Sequence, residues 1–262
     1  MQWASQKTND GIKILYKDLE RKNEELKKLD RLRSKFVATV SHELRTPLTI
    51  IVQAIENLLT GAFGPVTDSQ RLWLGRINDN ADHLNGLLSE ILDLSKLEGG
   101  QEERKLECFD IGELIHRSID NMQPLAQNKN VALVLKTSNK LPKIWGSSRQ
   151  LIQVITNLVG NALKFTPPKG QIEIAFENNE SNVRVSVSDT GPGINREDLE
   201  KIFDPFVQSE NGHSEHGPTK GIGLGLTICR EIMTLHKGRI WAESEPGRGS
   251  HFIFEMPTER KQ

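Results

Sequence analysis

The chain is short of several things, and each shortage excludes something. Among 262 residues there is one tyrosine, Tyr16, and aromatics make up 5%. That excludes the stacking platforms on which single-stranded nucleic acid binds. Lys plus Arg number 34 against 35 Asp plus Glu, a formal net charge of −1. Neither a basic field for nucleic acid nor an acidic, disordering excess is present. The two cysteines, Cys108 and Cys229, cannot form a metal site by themselves and read as two buried thiols of a reducing compartment. No apolar run approaches the ~20 residues that span a bilayer. The polar stretch from Met1 to Asp10 does not read as a signal peptide. The expectation is a cytoplasmic chain with no nucleic-acid or membrane contact, long enough for two modest domains.

What is present begins with a heptad pattern over residues 12 to 40. One seam holds Ile12, Leu19, Leu26, Arg33 and Val40; the other holds Leu15, Lys22, Leu29 and Phe36. Seven of these nine are apolar, and Lys and Glu crowd the positions between them. The pattern predicts a parallel two-stranded coiled coil, and so a homodimer, over a single amphipathic helix lying on its own domain. A helix that starts so abruptly also reads as the cut end of a longer protein. What would precede residue 12 in that parent, and whether it is attached to a membrane, is left open.

The helical period continues through Leu44, Leu48, Ile51, Ile55 and Leu58, with Pro47 inside it. The proline ring removes the hydrogen bond to the carbonyl of Glu43, so a bend is expected within a turn of His42. Gly61 to Pro65 breaks the helix, and Thr67 or Asp68 can cap a second one. That helix carries Leu74, Ile77, Ala81, Leu84, Leu88 and Ile91, and Gly99-Gly100 ends it. Two such helices cannot bury both stripes, whereas two copies of the hairpin make a four-helix bundle.

Residues 101–107 are charged and read as a linker, after which the pattern changes class. Ile111 to Gln127 is helical, Val131 to Lys136 a short strand, and Ser147 or Ser148 caps a helix running to Phe165. Ile172 to Phe176 and Val183 to Ser188 alternate as strands around a turn at 178–182. A helix follows Gly223 as far as Leu235. Arg239 to Ala242 and His251 to Glu255 close the domain around Pro246-Gly247-Arg248-Gly249. The fold expected is an α-helical hairpin forming a dimeric four-helix bundle, then an α/β sandwich whose mixed, mainly antiparallel sheet is covered by helices on one face. The divisions are 1–30 coiled coil, 31–100 bundle, 101–107 linker, 108–258 sandwich and 259–262 tail.

Three stretches of the second domain suit a nucleotide. Asn157, Asn161, Lys164 and Phe165 share one helical face. Amide oxygens suit Mg²⁺, Lys164 can neutralise phosphate, and Phe165 can cover a base or sugar; two asparagines solvating a helix are the bland alternative. Asp189-Thr190-Gly191-Pro192-Gly193 follows a strand, so the carboxylate can accept the amino group of adenine while Gly191 and Gly193 let the backbone turn against it. In Gly221-Ile222-Gly223-Leu224-Gly225-Leu226 the amides of Gly221, Gly223, Leu224 and Gly225 stand ahead of a helix, where phosphate is favoured. It is neither a dinucleotide fingerprint nor a Walker loop. Gln208 to Lys220 reads as a lid over the nucleotide. Its His213, Glu215 and His216 are more simply solvated than metal-bound. His83, His116, His236 and His251 read as structural.

Taken in order, these motifs place a family. Ser41-His42-Glu43-Leu44-Arg45-Thr46-Pro47-Leu48 closely resembles the phosphoacceptor motif of the sensor histidine kinases of two-component systems. Asn157 to Pro167 resembles their asparagine box, and Asp189 to Gly193, Phe203-Asp204-Pro205-Phe206 and Gly221 to Leu226 their glycine and phenylalanine boxes. The resemblance covers about residues 30 to 258. It implies a dimerisation and histidine-phosphotransfer bundle followed by an ATP-binding domain of the kind shared with gyrase, Hsp90 and MutL, with an upstream sensor domain ahead of residue 12. By position, Asn161 would be the Mg²⁺ ligand supported by Asn157, Asp189 would read adenine, and Gly221, Gly223 and Gly225 would line the phosphates. Ser147 departs from the Asp common in relatives, but serine caps a helix equally well.

His42 would then be the phosphoacceptor, because a neutral imidazole is available as nucleophile near neutral pH. Glu43 is the adjacent base or orienting group. The phosphoryl group would pass to an aspartate on a response-regulator receiver domain. The resemblance also implies that Thr46, one turn on, positions water to dephosphorylate that regulator. A clamp-type ATPase, a regulatory scaffold without chemistry and a dedicated phosphatase stay open as alternatives. ATP turnover without protein labelling would mark the first. A missing acceptor histidine, acidic neighbour or asparagine would mark the second, and labelling from ATP would exclude the third.

Overall fold

In the computed structural model, which describes residues 2–99, 106–137, 143–179, 181–207 and 222–258, the apolar period of residues 12–58 is realised as one helix. This helix, α1 (Gln2–Leu59), passes through Pro47. The helix α2 (Asp68–Glu98) starts at Thr67, whose hydroxyl accepts from the N–H of Gln70 while the Gln70 side chain returns to the Thr67 N–H. The two form a reciprocal capping box that satisfies two otherwise orphaned donors. The C-cap is Gly99, and it is right-handed with φ −73°. Space explains the glycine here: a Cβ would stand 2.8 Å from Ser34 Oγ on α1. The seam between the helices buries Leu48, Ile55, Ala81, Leu88 and Leu92, and Arg45 Nη2 donates to Ser89 Oγ across it.

The second compact unit spans Glu103–Gln262. Its sheet runs β2 (Ala132–Thr137), β4 (Gln171–Asn179), β5 (Asn182–Asp189), β7 (Ser250–Pro257), β6 (Arg239–Ser244) across the domain. Only the β2–β4 pairing is parallel among these, as expected of a mixed, mainly antiparallel sheet. Period-2 alternation puts Ile172, Ile174, Val183, Val185, Val187, Phe252 and Phe254 on one buried face. Three helices cover that face: α3 (Ile111–Lys129), α4 (Ser148–Phe165) and α5 (Gly225–Leu235). Ser147, not Ser148, is the N-cap of α4.

Several expectations are corrected. Glu107 was expected in the linker but opens a strand, β1 (Glu107–Asp110), which pairs antiparallel with β3 (Lys143–Gly146). Four residues of mixed polarity carry too little alternation to show as a strand. Cys108 on β1 is exposed, so only Cys229 is a buried thiol. A 3₁₀ turn, Lys201–Phe203, stands where no element was expected. Residues 101–105 of the linker, Gly100, the tail 259–262, the lid 208–220 with His213, Glu215 and His216, and Gly221 lie outside the described residues.

Candidate functional site

His42 lies on α1 with Ser41 buried behind it (2% exposed), while His42, Glu43 and Thr46 face solvent. Thr46 sits one turn on, and its hydroxyl donates to the carbonyl of His42 at 3.3 Å. Thr49 does the same to Arg45 at 2.9 Å. Pro47 withholds the amide that Glu43 would have received. The stretch around His42 is therefore an exposed helical face whose backbone is locally supported by threonines.

In the second unit, α4 and α5 bring two of the three nucleotide motifs together. The Asn157 Nδ2 donates to the carbonyl of Gly225 at 3.1 Å. Because a carbonyl can only accept, this end of the amide must be the NH₂. The Asn157 oxygen is left as the donor atom for an oxygen-seeking ligand. Asn157 also hydrogen-bonds the Cys229 thiol, which burial nonetheless pushes up to about 12. That sulfur is packing, not a nucleophile. Asn161 is half-buried one turn further on. Lys164 is exposed, with its Nζ 5.1 Å from the ring centre of Phe165.

The third motif packs against the end of the same helix. A Cβ on Gly191 would stand 3.3 Å from the carbonyl of Phe165, so this glycine lies against the α4 terminus. Gly193 has φ +74°, and a Cβ there would come within 2.2 Å of the carbonyl of Glu245. Gly223 has φ +78° with no room beside the carbonyl of Val207. Leu224 is the N-cap of α5 and makes no side-chain cap. The turn stands at a helix N-terminus, where backbone amides favour an anion.

Asp189, 9% exposed, accepts from the N–H of Gly191 at 2.7 Å. Burial pushes its carboxyl above the ordinary range, opposed by hydrogen bonds from the backbone of Gly191 and Ser250. The free acid's ordinary value is 3.8. Between that value and the raised folded one the native state binds more protons than the unfolded chain, so ionising Asp189 costs stability as pH rises through the window. The stability of the native domain relative to Asp189→Asn is therefore expected to fall between pH about 4 and about 7. Urea unfolding of nucleotide-free protein at both pH values checks it, and a difference independent of pH would refute a desolvated carboxylate.

Other residues build the site without a sequence signal. His236, 8% exposed, accepts from the N–H of Ser147 at 3.0 Å through Nε2 and donates to Ile232 at 2.8 Å through Nδ1. It ties the start of α4 to the end of α5. Lys129 Nζ donates to the carbonyls of Leu163 and Lys164 at 2.5 and 2.7 Å. A cation thus meets the negative end of α4 beside Lys164. Neither has a local motif; each is a single residue whose partner is distant in sequence.

Comparison with known proteins follows the same two units. Residues 32–100 match the family "His Kinase A (phospho-acceptor) domain". Residues 146–260 match "Histidine kinase-, DNA gyrase B-, and HSP90-like ATPase". The circadian input-output histidine kinase CikA of Synechococcus elongatus is 34% identical over 230 residues, 87% of this chain but 30% of that protein. The chain thus spans under a third of that relative's length. Full-length ShkA, solved with AMPPNP, superposes with a TM-score of 0.71 at 31% identity over 85% of this chain and 45% of its own. The catalytic domain of the histidine kinase ThkA gives 0.52 at 36% identity, covering 59% of this chain and 98% of that domain. ThkA in complex with the response regulator protein TrrA gives 0.62 at 31%, over 87% and 63%. Two family matches in the order the motifs implied, on a fold shared with solved kinases, make the chain a member of the sensor histidine kinases of two-component systems, whose catalytic core it carries.

Proposed function

We propose that this core phosphorylates itself on His42 from ATP and hands the phosphoryl group to an aspartate of a response regulator. The observation that carries it is the bond from Asn157 to the carbonyl of Gly225. It joins the asparagine helix to the glycine turn, 68 residues apart, as a shared phosphate and metal site requires. The divisions proposed are 1–30 signalling helix, 31–100 phosphotransfer bundle, a linker from 101 that ends before Glu107 of β1, the ATP-binding domain from there to 258, and a 259–262 tail. Leu44, Ile51, Ile77 and Leu84 remain about half exposed on one hairpin. That apolar surface supports a homodimeric four-helix bundle. The ThkA complex supports the regulator as partner.

Within the nucleotide site Asp189 accepts the adenine amino group and Phe165 flanks the base or sugar. Gly191 and Gly193 admit it closely. Lys164 and the amides from Gly221 to Gly225 neutralise phosphate. Hard oxygen donors fit Mg²⁺, so Asn161, backed by Asn157, would hold the ion, which would offset charge on the triphosphate. One ring nitrogen of His42 attacks the γ-phosphorus. The P–N bond forms as the bond to the β-phosphate oxygen breaks, and ADP leaves with the electron pair. Glu43 holds or accepts the proton of the other ring nitrogen. The deciding experiment is incubation with ATP labelled on its γ-phosphate: protein-bound label stable to alkali and labile to acid is expected. Steady ATP hydrolysis without label would favour a clamp-type ATPase instead.

Thr46 is proposed to hold the water that dephosphorylates the regulator, since its hydroxyl stands on the face of His42 one turn away. Thr46→Ala should slow dephosphorylation on the order of 10- to 100-fold and leave autophosphorylation nearly unchanged. The assay uses whichever regulator accepts phosphate fastest from this kinase. Dephosphorylation at the native rate would remove Thr46 from the role.

A further inference from the structure

We propose that Ser244 is a positioning residue for recognition of the nucleotide base: its hydroxyl fastens the loop carrying Asp189 to the turn between β6 and β7. The inference rests on Asp189 as the adenine partner and adds what holds that carboxylate in place. Three strand ends meet here in register, Ser244 opposite Ser250 and Ser250 opposite Asp189. A serine hydroxyl can donate and accept at once, and Ser244 does both. It donates to the carbonyl of Gly249 at 2.7 Å, accepts from the N–H of Ile194 at 2.8 Å, and stands 3.2 Å from the Ser250 hydroxyl.

The rest of the join is backbone. The N–H of Gly247 donates to the carbonyl of Pro192 at 2.7 Å. The N–H of Ser250 reaches the Asp189 carboxylate. A Cβ on Gly193 would collide with Glu245, and one on Gly249 with Asp189. Residues 189–194 are thus cast against residues 244–250. Ser244 provides the side-chain bond, gripping both the far end of the loop, at Ile194, and the glycine that touches Asp189. Removing the hydroxyl leaves the Ile194 donor and the Gly249 acceptor unpaired at once. The loop then loses its fixed seat, and Asp189 with it.

A merely structural hydroxyl at a strand end would lower stability without touching base discrimination. The test therefore reads the base. KM and kcat for autophosphorylation are measured with ATP and with purine riboside triphosphate, which lacks the 6-amino group, in the native chain and in Ser244→Ala. The expected result is a KM for ATP raised about 10-fold, kcat within about twofold, and a much smaller change for purine riboside triphosphate. In an Asp189→Asn background, Ser244→Ala should add little, because the two act through one contact. Ser244→Thr and Ser244→Val, equal in shape and differing only in the hydroxyl, decide the matter if the alanine variant folds poorly. Threonine should retain discrimination and valine lose it.

An unchanged KM for ATP, equal weakening for both nucleotides, additive effects with Asp189→Asn, or no difference between threonine and valine would each overturn the role of Ser244. If instead Asp189→Asn alone leaves ATP no worse relative to purine riboside triphosphate, Asp189 is not the adenine partner. The inference then falls with that assignment.

Discussion

His42→Gln is expected to abolish transfer of labelled phosphate from ATP to the protein while leaving nucleotide binding and folding intact. His42 is exposed on α1 and packs against nothing that its removal would open. Glutamine is a good helix former of similar length. Its stability cost should stay within the ~0.5 kcal/mol usual for surface substitutions. An amide nitrogen is not a nucleophile, so the loss of label should be complete. The asparagine, aspartate and glycine motifs all lie in the other compact unit, Glu103–Gln262. The affinity for ATP, read by titration calorimetry, should therefore match the native chain. The chemistry of the label gives an independent check, since a phosphoimidazole is lost in acid and kept in alkali, opposite to a phosphoserine. Retained label at the native level would move the acceptor to another residue, and lost nucleotide binding would mean that the substitution had damaged the fold.

What could be read from the sequence, and what could not, divides by range. Helices α1 to α5 were legible because each has an apolar period, and Thr67, Ser147 and the breaks at 61–65 gave local boundaries. Strands β4 and β5 were legible by alternation, and β2, β6 and β7 as short runs between turn residues; Asn157, Asn161, Asp189 and the glycines stood out as candidates by the order of their motifs. Short elements without a period were missed: β1 shows itself only through its pairing with β3. Cys108 went wrong for the same reason, as it sits on that unrecognised strand. The residues that hold the site were also invisible. His236 bonds Ser147 across 89 residues and Lys129 bonds Leu163 across 34. Nothing in either residue's neighbourhood announces its partner. The turn Pro246-Gly247-Arg248-Gly249 was legible as a turn, but its contact with Asp189 arises only when three strands are aligned.

Two glycines of that turn separate conformation from space. Gly247 and Gly249 have φ of +80° and +86°, so alanine at either must adopt the left-handed region, at a cost of about 1 kcal/mol. At Gly247 nothing stands within 4 Å of the added Cβ, and that conformational cost is the whole effect expected. At Gly249 the Cβ would lie 1.9 Å from the carbonyl oxygen of Asp189 and 2.9 Å from its carbon. These are backbone atoms of a strand paired on both sides, so no flexible side chain can yield. Overpacking adds about 1–3 kcal/mol, and more where relaxation is blocked. Gly249→Ala should thus cost about 2–5 kcal/mol against about 1 kcal/mol for Gly247→Ala, a large share of the ~5–15 kcal/mol that holds a typical domain. The strain falls on the residue proposed to meet adenine, so whatever Gly249→Ala protein remains folded should bind ATP poorly, while Gly247→Ala binds it almost normally. Thermal unfolding with and without ATP distinguishes the two, because only a protein that binds nucleotide gains melting temperature from it. Equal losses at the two positions would show that the β6–β7 turn yields freely and does not hold Asp189 in place.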